Sequence, residues 1–237
     1  MSGASSDLSA EAVAERAAAV RARILAAGGG AEVTLLAVTK GFGPDAVTAA
    51  LAAGLPAVGE NYAQELIDKA GVIAGLGVGG DPVAGADPSA VPQWHFIGRL
   101  QRNKVRHLAT LVALWQTVDR TEVATEIAKR APGASVLVQL NLSDEPQKGG
   151  CRPGDAPALV EHAQGLGLDV QGLMGVGPAG SPDAARPGFR ALVRMADRLG
   201  LAVRSIGMSA DLEVAVQEGS TMVRIGRDLF GERPRRP

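Results

Sequence analysis

Lys40 stands at the end of the apolar run Val33-Thr34-Leu35-Leu36-Ala37-Val38-Thr39. The run is too short for a helix and is continuous rather than alternating, which reads as a strand covered on both faces. A lysine at the end of such a strand loses hydration, and this lowers its pKa from about 10.4. A neutral amine attacks an aldehyde and forms a Schiff base. Of the other lysines, Lys69, Lys104 and Lys129 fall on predicted helices and Lys148 in a loop. The bland alternative is a strand-end side chain that snorkels to water.

Arg224 is the second candidate. In Met222-Val223-Arg224-Ile225-Gly226 the strand period places it on the opposite face from Val223 and Ile225. A guanidinium inside a barrel keeps its charge and needs a partner, an ordinary ion pair being the simplest. Gly226-Arg227-Asp228 then opens a short helical turn whose free N–H groups suit an anion. Ser209, after Ile206-Gly207-Met208, either lends a hydroxyl to that anion or caps the helix carrying Asp211 and Glu213. Those two acids disfavour an anion directly over their own helix. A lysine amine and an anion seat at one mouth call for a phosphorylated aldehyde. Pyridoxal 5′-phosphate meets both demands, with Arg224 facing its ring nitrogen.

These residues need elements that bring them together. Apolar strand patterns recur at 33–39, 56–59, 93–97, 112–118, 135–142, 169–176, 202–206 and 221–225. Helical patterns follow at 44–53, 61–70, 101–109, 120–130, 155–165, 183–199 and 210–218, with a terminal turn at 226–230. Asn61 with Gln64 and Asp119 with Glu122 have capping-box spacing. The expected fold is a single (β/α)8 TIM-type barrel over 1–237, with an extra N-terminal helix at 9–27 capped by Ser9. A doubly wound open sheet is the rival. The glycine-rich stretch within 75–91 follows a helix, not a strand, and reads as a surface loop rather than a dinucleotide site. The tail from about 232 to 237 reads as frayed.

Composition narrows the classes. With 24 basic and 25 acidic side chains and 3% aromatics, the chain has neither the charge nor the stacking surface of a nucleic-acid binder. The single Cys151 excludes an internal disulfide, and His95, His107 and His162 show no metal-ligand spacing. No apolar run reaches membrane length and the N-terminus is polar, so the expected compartment is the cytoplasm. A monomer is expected.

Several segments together resemble one family. These are Leu36-Ala37-Val38-Thr39-Lys40, Gly59-Glu60-Asn61-Tyr62-Ala63-Gln64-Glu65, Trp94-His95-Phe96-Ile97-Gly98, Gly207-Met208-Ser209 and Gly219 to Gly226, with Phe230-Gly231. In order and spacing the chain resembles the pyridoxal phosphate homeostasis proteins, relatives of the barrel domain of alanine racemase. The resemblance implies Lys40 as the Schiff-base lysine and Arg224 at the pyridine nitrogen. It implies Ser209, Gly226 and the amide of Arg227 as phosphate contacts, and Asn61 as a polar neighbour of the lysine. The sequence departs from that pattern at Thr39, where Ser is common, and at Arg99, where Pro is frequent. At Arg227 a small hydroxyl residue is frequent.

The resemblance implies a protein that holds and buffers the cofactor, with no established turnover; pyridoxal-phosphate-dependent apoenzymes are the candidate partners, and the sequence names none. In alanine racemase the second base is a Tyr from an additional domain, whereas this sequence has a single Tyr, Tyr62. An Arg against the ring nitrogen keeps that nitrogen unprotonated and weakens the electron sink. The expectation is therefore a carrier with no catalytic residue. The alternatives are a slow amino-acid racemase and a Schiff-base aldolase of a sugar phosphate. Trp94 and His95 are expected as a packed pair in the barrel interior.

Overall fold

Each strand pattern is too short to bury itself alone, and each following helix supplies the cover. In the computed structural model, which describes residues 8–75, 91–143 and 149–233, the pattern closes on itself. Eight parallel strands pair in chain order: β1 (Thr34–Val38), β2 (Ala57–Glu60), β3 (Gln93–Phe96), β4 (Val112–Val118), β5 (Ser135–Asn141), β6 (Asp169–Val176), β7 (Val203–Ser205) and β8 (Met222–Ile225). The β1–β8 seam sets Leu36 beside Arg224. This is the expected (β/α)8 barrel; a doubly wound sheet would have left an open edge.

The helices follow the same order. After the N-terminal α1 (Ala10–Ala26) come α2 (Pro44–Ala52), α3 (Ala63–Gly75) and α4 (Val105–Leu108). They are followed by α5 (Thr121–Arg130), α6 (Ala156–Gly165), α7 (Arg186–Arg198), α8 (Leu212–Gln217) and α9 (Arg227–Phe230). Two apolar layers result. Leu36, Ala57, Leu114, Leu137, Met174 and Met222 form a small cluster of their own inside the barrel. The larger cluster lies between strands and helices, where Val13, Ala17, Val20 and Ile24 seat α1. Arg23 of α1 pairs with Glu213 at 2.7 Å and Asp228 at 2.5 Å, tying α1 to the elements after β7 and β8.

Several local expectations need correction. Ser9 does cap α1, its hydroxyl accepting from the Ala12 amide at 3.2 Å. Asp119 and Glu122 form no capping box: α5 starts from an extended Arg120 with no side-chain cap, and Asp119 is taken by the Arg120 guanidinium. Gln64 turns forward to Asp68 at 2.8 Å rather than back toward Asn61. Ser209 caps no helix, because α8 begins only at Leu212 after a turn fastened by Asp211 to the Met208 amide. The basic segment 101–109 divides into a 3₁₀ turn at Arg102–Lys104 and the four residues of α4. Cys151 does not lie in a free loop: its backbone extends the sheet beside Leu140. Most of the loop expected at 75–91 lies outside the described residues.

Glycine at two places tests the packing. A Cβ on Gly172 in β6 would sit 2.0 Å from the Val203 carbonyl oxygen of β7, whereas one on Gly71 in α3 would meet nothing within 4 Å. Gly172→Ala is expected to cost about 1–3 kcal/mol through backbone overpacking. Gly71→Ala should instead stabilise by about 0.5–1 kcal/mol by removing unfolded-chain freedom from an exposed helix position. Denaturant unfolding of both variants checks the pair of signs.

Candidate functional site

Strand parity decides what faces the barrel axis. Leu36 lies in the inner cluster, so Val38 and Lys40, two and four residues on, continue the inner side. Met222 does the same for Arg224. A cavity of about 750 Å³ opens at the carboxyl ends of the strands. Lys40, Asn61, Ser209, Arg224, Gly226 and Arg227 all line it. Gly226 runs close under β1, where an added Cβ would come within 3.2 Å of the Val38 carbonyl oxygen. Phe42, two residues past Lys40, stacks on Phe230 of α9 with ring centres 5.5 Å apart. The lysine turn and the Gly226 turn are thus packed on one another.

Arg224 is buried, at 4% exposure, yet no carboxylate among the described residues bonds to it. Its Nη1 donates to the Ser205 carbonyl at 2.6 Å and the Ser205 hydroxyl at 2.9 Å, and its Nη2 to the Gly175 carbonyl at 2.8 Å. The ion pair allowed for in the sequence is replaced by neutral acceptors. Burial lowers the guanidinium pKa to about 10, with Asp211 opposing from a distance, so the group stays charged at neutral pH. Behind it the Ser205 hydroxyl donates to Gln116 Oε1 at 2.7 Å, and Gln116 Nε2 lies 2.9 Å from His95 Nδ1. Burial lowers the His95 pKa to about 4. Neutral imidazole accepting at Nδ1 completes the chain. Trp94 points the other way, into the layer beneath the helices, so the two residues are not a packed interior pair.

Lys40 is half-buried. Burial lowers its pKa first, the nearby cations Arg233 and Arg224 lower it further, and Glu60 and Glu65 oppose. Arg233 was expected in a frayed tail. Instead it lines the cavity with Gly231 and Glu232, and a Cβ on Gly41 would fall 3.1 Å from its Cδ. Arg99, the departure from the family pattern, lines the same mouth. Among the described residues the only acid on that lining is Glu232, which pairs with Arg227 at 3.3 Å. Glu213 and Asp228, expected to repel an anion or left unassigned, are both engaged by Arg23.

The sequence reading missed Lys69. Counted there as a helix residue, it is 4% exposed, and its Nζ donates to Glu60 Oε1 at 2.6 Å and to the Thr39 carbonyl at 2.8 Å. Its signal was available: Leu66, Lys69 and Ile73 form the buried stripe of α3.

A half-buried lysine whose pKa is lowered by burial, a buried guanidinium held by neutral acceptors and a cationic mouth at a barrel's strand ends match what comparison finds. The family profile described as alanine racemase, N-terminal domain, matches residues 8–234. The pyridoxal phosphate homeostasis protein of Pseudomonas aeruginosa is 40% identical over 233 residues, covering 94% of this chain and 95% of that one. The protein of the same name from Escherichia coli K12 is 38% identical over 215 residues, covering 85% and 86%. The chain belongs to the pyridoxal phosphate homeostasis protein family. Among solved structures, PipY of Synechococcus elongatus with pyridoxal phosphate bound superimposes with a TM-score of 0.77 at 28% identity, covering 92% of this chain and all of that one. Alanine racemase from Bacillus anthracis, at 16% identity and a TM-score of 0.67, shares the barrel over 57% of its length.

The buried histidine gives a pH test. Its folded pKa of about 4 lies below the unfolded value near 6.5, so the unfolded chain binds the extra proton first. Stability from this group is undiminished above pH 6.5 and falls as pH drops toward 4, by about 3 kcal/mol in all. In His95→Gln that part of the acid dependence should vanish, read as the difference between the two proteins' unfolding free energies across pH 4–7. An equal slope in both would place the acid sensitivity elsewhere.

Proposed function

We propose that this chain holds pyridoxal 5′-phosphate on Lys40 as a Schiff base and serves intracellular homeostasis of that cofactor, without efficient catalysis. The observation that carries the reading is the charge arrangement of one cavity: a lysine amine depressed by burial and a permanent buried cation with no carboxylate of its own. A ligand with an aldehyde, an acceptor nitrogen and an anionic tail satisfies all of it. The names of the relatives and the bound ligand of PipY support the same choice.

The residues present fit the cofactor. When bound, it would supply an aldehyde for condensation with the Lys40 amine, whose pKa burial lowers, with release of water. Arg224, fixed from behind by Ser205 and Gly175, would offer a remaining N–H to the ring nitrogen. Because a guanidinium with a pKa of about 10 gives up no proton at neutral pH, that nitrogen stays unprotonated. This stabilises binding while withholding the electron sink that carbanion chemistry needs. The hydroxyl of Ser209 and the backbone amides at Gly226 and Arg227 would receive the phosphate, and the cations at the mouth would attract it. Asn61 stands beside the lysine as a polar neighbour. With no acid free on the described lining, the cavity favours retaining an anionic ligand.

Purified protein mixed with the cofactor should show a visible Schiff-base band that borohydride bleaches, leaving one pyridoxyl group on Lys40. Lys40→Ala should lose the band and keep the fold, because the side chain is not core. Arg224→Gln should weaken retention by about 10- to 100-fold, the scale of a lost charged hydrogen bond. Unchanged retention would assign Arg224 to the scaffold alone. Incubation with single enantiomers of amino acids should show no inversion above a protein-free control, and clear inversion would replace the carrier reading with that of a slow racemase.

A further inference from the structure

The end of β1 has two faces. Lys40 points into the cavity, while its neighbours are gripped from the helix side. Lys69 of α3 donates to the carbonyl of Thr39, the residue before Lys40, at 2.8 Å. Glu65, one turn earlier on the same helix, accepts from the amide of Gly41, the residue after Lys40, at 3.0 Å. Glu60 at the end of β2 completes the grip: its Oε1 takes the Lys69 ammonium at 2.6 Å and the Thr39 hydroxyl at 2.6 Å. Its Oε2 has no hydrogen-bond partner. Burial pushes the Glu60 carboxyl above its ordinary range, with Lys69 opposing. An ion pair this deep is not retained for stability as such, since apolar replacements of buried pairs are often neutral or better. What it supplies here is two fixed hydrogen bonds on the backbone that carries the reactive amine.

We infer that α3 is the positioning element for Lys40, with Lys69 and Glu65 acting as a clamp on its two flanking peptide groups. The inference rests on the proposed role of Lys40 and deepens it. Neither residue lines the cavity or touches a ligand there. The clamp fixes the strand end so that the amine stays in attacking range of an aldehyde whose phosphate is anchored across the mouth at Gly226. Positional freedom of about 1 Å at a nucleophile costs on the order of 100-fold in rate.

The test separates position from charge. Lys40 feels Arg233, Arg224, Glu60 and Glu65, so removing a clamp charge shifts the midpoint of its pH profile in any case. Position shows instead in the plateau rate above that midpoint, where the amine is fully neutral. The apoprotein is mixed with pyridoxal 5′-phosphate across pH, the capture rate is read from the visible band, and borohydride with mass analysis locates the adduct. Lys69→Met alone leaves Glu60 uncompensated and should unfold more readily. Lys69→Met combined with Glu60→Gln removes both charges and should melt near the parent. Its plateau rate should still fall on the order of 10- to 100-fold, and amide exchange at residues 39–42 of the apoprotein should accelerate. Glu65→Ala should lower the plateau in the same direction, and Glu65→Gln, which keeps an acceptor oxygen, should restore it. A folded double variant with the parent's plateau rate and exchange would overturn the inference. If the double variant does not fold, Glu65→Ala decides alone, and a parental plateau there overturns it equally. Should the parent itself capture no cofactor on Lys40, the proposed function fails, while the exchange measurement still reads the clamp.

Discussion

A guanidinium enclosed by a barrel is the constraint to which the rest of the site answers. Arg224 cannot discharge itself by losing a proton, and burial without a counter-charge is costly. The fold meets that cost with oriented dipoles: two carbonyls and a hydroxyl, the hydroxyl itself fixed by Gln116. Dipoles hold a cation without neutralising it. Its field therefore remains available to the cavity, where it adds to the burial and the Arg233 charge that lower the Lys40 pKa, and favours any ligand that brings an electron pair or a negative charge. The neutral state of His95 has the simpler cause of burial, which disfavours its charged form and leaves Nδ1 free to accept from Gln116.

Strand parity lets one short segment do two jobs. Along β1 the residues at 36, 38 and 40 face the axis, while Thr39 faces the helices with Glu60 of β2. The inner side lines the cavity and the outer side carries the ionic grip. The chain on both sides of Lys40 is fastened to α3. The aromatic pair Phe42–Phe230 extends that fastening to the turn at Gly226, so the amine and the anion seat are linked through packing as well as through the β1–β8 seam.

The barrel was legible in the sequence because eight apolar runs alternate with helical periods at lengths that admit little else. Lys40, Arg224 and Gly226 were legible because each lies at or just beyond the carboxyl end of an apolar strand, where a charge or a glycine interrupts the pattern. Lys69 was not, for a physical reason. A lysine on a helix is ordinarily a solvated group, and only its place between Leu66 and Ile73 on the apolar stripe marks it as buried. Glu60 carried a comparable mark as an acid closing a buried strand. Arg233 looked like part of a charged tail, and only contact with Gly41 makes it part of the site. Asp119 failed as a cap because Arg120, next to it in sequence, competes for its carboxylate. Short polar side chains at helix starts have many local partners, and spacing alone does not choose among them.

The extra N-terminal helix then acquires a reason beyond packing against α2, α8 and α9. Glu213 and Asp228 lie in the first turns after β7 and β8, where bare carboxylates would oppose an anion settling at Gly226. Arg23 reaches across from α1 to engage both and also donates to the Ser209 carbonyl at 3.1 Å. This exposed pairing adds little to stability. Its effect is local: it turns two acids away from the cavity and fixes the backbone of a lining residue. The positive character of the mouth thus comes less from an excess of basic residues, which the chain as a whole lacks, than from giving the nearby acids partners: Glu213 and Asp228 go to Arg23, Glu60 to Lys69, and Glu232 to Arg227.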